Sequence, residues 1–93
     1  MTPMAICRIY EIPGATTAQY DEVTALAGDV VAAGAHVHVA GTAGTSLYVV
    51  EVWDSREALD AWLASQPEAA AAQAQVMAAA RWIDVDVHRV LTA

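Results

Sequence analysis

Two short patterns carry the side chains with the most chemistry in this chain. The first is His36-x-His38 and the second is Asp84-x-Asp86-x-His88. In an extended strand, alternate residues share a face, so each pattern would line up its polar groups about 7 Å apart. Two imidazoles alone do not make a zinc centre, which takes three or four ligands. Pooling the two patterns would need their strands to be adjacent, and the element order argues against that. Histidines hydrogen-bonded at a subunit interface are the simpler reading, and neither metal nor cofactor is expected. Glu51 and Arg8 form a second candidate pair, either an acid with its charge partner or a plain ion pair between neighbouring strands. His38, beside Ala40-Gly41, is the best-placed general base, since imidazole works as acid and base near neutrality. Cys7 stands in an apolar run and reads as inert core.

The aromatic residues are three tryptophans and three tyrosines, with no phenylalanine. Trp53, Trp62 and Trp82 offer flat apolar walls with one donor each, suited to a planar ligand or to core packing. Tyr10 could orient a ligand. No nucleophile elbow, P-loop or dinucleotide fingerprint is present.

Local signals place these residues on elements. Residues 5–12 read as a first strand ended by Pro13-Gly14. Thr16 and Gln19 form a capping box for a helix over 17–33 with Tyr20, Val23, Ala27, Val30 and Val31 at helical spacing, closed by Gly34. Residues 35–40 and 46–53 read as a hairpin around Gly41-Thr-Ala-Gly44. Asp54, with Glu57, reads as the cap of a second helix, whose apolar stripe is Ala58, Leu59, Trp62 and Leu63. Ser65-Gln-Pro-Glu68 marks a break and a restart, with Ser65 as the new cap. Residues 68–80 are alanine-rich and helical by propensity, and 82–91 read as a last strand.

The order β-α-β-β-α-β predicts a ferredoxin-like α+β fold, a four-stranded antiparallel sheet with helices on one face. Alternation divides the sheet residues into two sets. One is nearly all aliphatic: Cys7, Ile9, Val37, Val39, Val50, Val52, Ile83, Val85. The other mixes apolar bulk with Arg8, Tyr10, His36, His38, Glu51, Trp53, Trp82, Asp84, Asp86 and His88. Helices need an apolar bed, so the aliphatic set is expected beneath them and the mixed set against a second subunit.

Composition narrows the function. The chain has 93 residues, 57% hydrophobic and 16% charged, and a net charge of −7. This is one domain's length, and that apolar content in so small a domain predicts a homodimer. With four arginines and no lysine against eleven acids, phosphate backbones and anionic membranes are rejected as partners. No apolar stretch approaches the ~18 residues of a membrane span, and no signal sequence is apparent, so a cytoplasmic location is expected.

One segment resembles a known family. Tyr48-Val-Val-Glu51-Val-Trp53-Asp-Ser55-Arg-Glu57-Ala58-Leu-Asp-Ala-Trp62-Leu-Ala-Ser65 is similar to the strand-to-helix segment of antibiotic biosynthesis monooxygenases, which are dimeric α/β barrels. His38-Val-Ala-Gly41 and Val87-His88-Arg-Val-Leu91 resemble small actinobacterial members. One departure is clear: the helix position that usually holds His is Trp62 here. The resemblance implies a cofactor-free monooxygenase, or a cyclase or isomerase, acting on an aromatic or polyketide-type metabolite. In that role His38, Glu51 and Arg8 would be catalytic, and Tyr10, Trp53, Trp62, His36, His88 and Trp82 would contact the substrate. A non-catalytic dimeric binding or assembly domain is the alternative.

Overall fold

The computed structural model describes residues 5–27 and 34–91. Its elements follow the order β1 (Ile6–Pro13), α1 (Thr17–Ala27), β2 (Ala35–Ala43), β3 (Ser46–Trp53), α2 (Arg56–Ala64), α3 (Pro67–Val76), a 3₁₀ turn (Met77–Ala79) and β4 (Arg81–Asp86). The four strands form one antiparallel-paired sheet in the order β2-β3-β1-β4, the ferredoxin-like α+β fold.

Local chemistry explains most boundaries. The Thr16 hydroxyl accepts from the Gln19 amide N–H at 3.1 Å, and the Gln19 side chain accepts from the Thr16 amide N–H at 2.9 Å. This reciprocal box starts α1. The continuation of that helix to residue 33, with Val30 and Val31, lies outside the described residues. Gly14 and Gly44 have φ of +77° and +61°, where a Cβ would be strained. They close β1 and turn the hairpin, and the Gly14 N–H donates to the Thr45 carbonyl, tying the two turns together. The hairpin turn is thus Gly44-Thr45, and Gly41, Thr42 and Ala43 remain in β2.

Two caps differ from expectation. Ser55, not Asp54, caps α2 by accepting from the Ala58 N–H at 3.1 Å. Ser65 ends α2 instead of starting α3, since its N–H and hydroxyl both donate back to the last α2 carbonyls. β4 stops at Asp86 because its partner β1 begins at Ile6, the register mate of Asp86. Among the described residues, the Val87 N–H, donating to the Ala5 carbonyl, extends that pairing.

The two faces of the sheet are the reverse of the expected assignment. The central members of the mixed set, on β1 and β3, lie under the helices, while His36, Trp82, Asp86 and His88 towards the sheet edges are exposed. Ile6, Trp53 and Leu59 pack with Ala35 in one buried cluster, against Ala58 and Trp62 of α2. Ile12, Ala15, Leu47 and Val49 form a second, against Tyr20, Val76 and Met77. The aliphatic set is open instead: Val39, Ile83 and Val85 are exposed. Cys7 belongs to this face and is only partly buried, so it is not core. The mixed set can be buried because it carries the largest apolar side chains and because the register lets its charges pair with one another.

Candidate functional site

The strand register builds the site. His38 on β2 pairs with Glu51 on β3, Glu51 with Arg8 on β1, and Arg8 with Asp84 on β4. These four residues form one polar row across the helix-facing side of the sheet. The row on one side is Ala35, Trp53, Ile6 and Asp86, and the row on the other is Ala40, Val49, Tyr10 and Trp82. The polar row therefore runs between the two buried clusters, and Arg8 and Glu51 are only 8% and 7% exposed. In so dry a setting each polar group needs a partner.

The row divides into two units. Among the described residues no ion pair joins Arg8 to Glu51, although they are register mates. Arg8 turns to Asp84 instead, donating from Nε to Oδ1 at 2.7 Å and from Nη2 to Oδ2 at 3.0 Å. Arg56, at the start of α2, donates to the same Oδ2 at 2.8 Å. The Arg8 hydrogen bonds, with those of Arg56, hold the Asp84 carboxyl down to about 2, and the same pairing keeps Arg8 charged. The Arg8 guanidinium also lies 5.8 Å from the Tyr10 ring centre and 5.5 Å from that of Trp82. These two rings are tilted against each other at 6.0 Å. Arg8 is thereby fixed in position and fully charged beside a half-exposed aromatic wall.

The second unit is Glu51, His38 and Tyr20. His38 Nδ1 lies 2.9 Å from Glu51 Oε2, and His38 Nε2 lies 2.5 Å from the Tyr20 hydroxyl. An ionised carboxylate can only accept, so Nδ1 carries the proton and donates it to Glu51. Nε2 is then a bare acceptor, and the Tyr20 hydroxyl donates to it. The Tyr20 and His38 rings are joined end to end through this bond, with centres 5.8 Å apart and 27° between their planes. Burial, aided by the negative charges of Glu51 and Asp21, pushes the Tyr20 phenol up, so it keeps its proton at neutral pH. Burial likewise raises Tyr10.

The expected site residues separate accordingly. Arg8, Tyr10, His38, Glu51, Trp53 and Trp82 share the helix-facing side, and Trp62 meets Trp53 from α2 with ring centres 6.2 Å apart. Trp53 is fully buried, and its indole N–H has no partner among the described residues. His36 does not join them. A β-bulge between Ala35 and Val37 takes His36 out of register, and it bonds Asp54 at an exposed position. His88 lies beyond β4 and is exposed. Among the described residues no three histidine, cysteine or acidic side chains converge on a point where a metal could sit. With β2 and β4 at opposite edges of the sheet, the two polar patterns do not combine within one chain.

Sequence reasoning missed Tyr20 as a site residue and Arg56 altogether. Tyr20 satisfied the apolar spacing of α1 and looked like core. Its hydroxyl, a group that needs a partner when buried, was the available signal. Arg56 carried none, because its partner is 28 residues away.

Fold and site define a small ferredoxin-like α+β protein with a part-buried carboxylate–imidazole–phenol line between sheet and helix. The model of the antibiotic biosynthesis monooxygenase family matches residues 6–75, and the chain belongs to that family. Among solved structures it is similar to a single-substitution variant of SnoaB, a cofactor-independent oxygenase from Streptomyces nogalater. That match has 13% identity and a TM-score of 0.71 over 96% of this chain and 98% of the other. A second is a candidate antibiotic biosynthesis monooxygenase from Chloroflexus aurantiacus, with 21% identity and a TM-score of 0.63 over 95% and 97%. At these identities the likeness establishes the fold. Among curated proteins no sequence match is found. No helix among the described residues is long and apolar enough to cross a membrane.

Proposed function

We propose that this protein is a cofactor-independent monooxygenase for an electron-rich aromatic or polyketide-type metabolite, acting as a homodimer. The observation that carries this reading is the Glu51–His38–Tyr20 line. It holds an imidazole in one tautomer, with its basic nitrogen turned away from the carboxylate and a negative charge behind it. That is the arrangement of a general base, whose imidazolium form Glu51 would stabilise. Family membership and the likeness to SnoaB, a cofactor-independent oxygenase, support the reaction class.

The substrate itself closes the redox balance. A phenol in its keto tautomer carries an activated CH2 group. Loss of one proton to the site gives an anion rich enough in electrons to reduce O2. The carbon takes one oxygen atom as a new carbonyl, and both hydrogens leave with the second oxygen atom as water. Four electrons pass from the carbon to O2, so no flavin, haem or metal is required. Arg8, fixed and charged at the neighbouring row position, would offset the anionic charge, while Tyr10, Trp82 and Trp62 would supply apolar walls, with the buried Trp53 behind Trp62. The open aliphatic face, with Val39 56% and Ile83 61% exposed, is a surface that a second copy would cover.

Oxygen uptake with anthrone as the probe tests the reaction. Wild-type protein should consume one O2 per anthrone and form anthraquinone. His38→Gln should lose about 10²-fold or more in turnover while keeping its melting temperature. A His38→Gln variant as active as the wild type would refute the assignment.

A further inference from the structure

We infer that Tyr20, on α1, is the residue that exchanges the proton with the substrate, and that His38 works behind it. The inference rests on the reaction proposed above and goes further in naming the atom that touches the substrate.

Both nitrogens of His38 are occupied. Nδ1 is taken by Glu51 and Nε2 by the Tyr20 hydroxyl. No basic nitrogen is left open to a substrate in this arrangement. The Tyr20 oxygen is different. It spends its one proton on Nε2 and retains lone pairs that can accept another. Tyr20 is also partly exposed, whereas the side chains behind it are 17% exposed at His38 and 9% at Glu51. Glu51, on the sheet, is therefore the closed end of the line, and Tyr20, on α1, is its outer end.

The proton movement balances without another reactant. A substrate C–H or O–H proton forms a bond to Tyr20 Oη as the original Oη–H bond breaks and its proton bonds Nε2. The substrate becomes an anion, His38 becomes an imidazolium paired with Glu51, and Tyr20 ends as the neutral phenol it was. The reverse movement returns a proton to the product. The phenol's raised proton affinity, caused by burial and by the charges of Glu51 and Asp21, disfavours a free tyrosinate. Passing the proton through in one concerted step avoids that species.

The experiment has two arms. In the first, Tyr20→Phe keeps the aromatic ring and removes only the hydroxyl. With anthrone in aerated buffer its kcat should fall about 10²-fold, with KM changed far less and the fold intact. A kcat equal to or above that of the wild type would show Tyr20 to be a lid that must leave before His38 acts, and would overturn the inference. The second arm needs no turnover. Nitrogen-15 NMR of His38 at neutral pH should show Nδ1 protonated and Nε2 bare but hydrogen-bonded, and Tyr20→Phe should move Nε2 towards the free-acceptor shift while leaving Nδ1 unchanged. A protonated Nε2 in the wild type would reverse the direction of the line and refute the inference. An inert wild type would refute the oxygenase reading, and the tautomer measurement would then decide the relay alone.

Discussion

Removing the Asp84 carboxylate should be the most destabilising single change in the polar row. Asp84→Ala leaves the Arg8 guanidinium between Tyr10 and Trp82 without its two charged hydrogen bonds. A hydrogen bond to a charged group is worth roughly 1.5–3 kcal/mol. Orphaning one partner of a buried ion pair costs about 3–5 kcal/mol. The side chains are 10% and 17% exposed, so water can reach the stranded guanidinium, which argues for the lower end. The Arg56 arm is half-exposed and adds less than about 1 kcal/mol. The expected loss is about 3 kcal/mol, which for a chain of this size lowers the melting temperature by roughly 12–20 °C. Urea unfolding at pH 7 measures it. Arg8→Met combined with Asp84→Ala should recover much of the loss, because no buried charge is then stranded. The pair also sets an acid limb. The folded carboxyl is depressed to about 2 from 3.8, so its stabilisation is complete above the unfolded value and drains as pH falls from about 4 to about 2. The contribution is about 1–2 kcal/mol after allowance for solvent screening, and Asp84→Ala should lack it. A loss under about 1 kcal/mol at pH 7, or a double variant no more stable than the single one, would refute the argument.

Two further outcomes follow from the packing. Trp62→Ala should cost about 3 kcal/mol by calorimetry, since Trp62 is only partly buried but covers Trp53 and the Ile6–Leu59 cluster. A cost near zero would show that Trp62 stands in an open pocket. Light scattering should give twice 9.8 kDa for the wild type at micromolar concentration, and Ile83→Lys on the open face should give a monomer with unchanged circular dichroism. A monomeric wild type would exclude a stable dimer.

What the amino-acid sequence determines by itself here is short-range. The Thr16–Gln19 box, the break at Ser65-Gln-Pro-Glu68 and the alternation in residues 46–53 each act within a few residues, and each stands in the structure at its expected place. Together they dictate the element order, and hence the ferredoxin-like topology. Choices between neighbouring candidates were not legible, such as Ser55 over Asp54 as a cap, because both residue types can accept the same N–H. Tertiary structure alone decided which face the helices cover. Counting polar residues strand by strand made the mixed face look too costly to bury. Cross-strand register places His38 beside Glu51 and Arg8 beside Asp84, and pairing offsets much of the desolvation that each charge would suffer alone. The bulge at His36 removed one expected site residue by a single extra position, a shift that local alternation cannot reveal. Tyr20 joined the site for the same kind of reason. Its helix spacing marked a core residue, and only the packing of α1 over β2 brings its hydroxyl onto the one nitrogen of His38 that Glu51 leaves free.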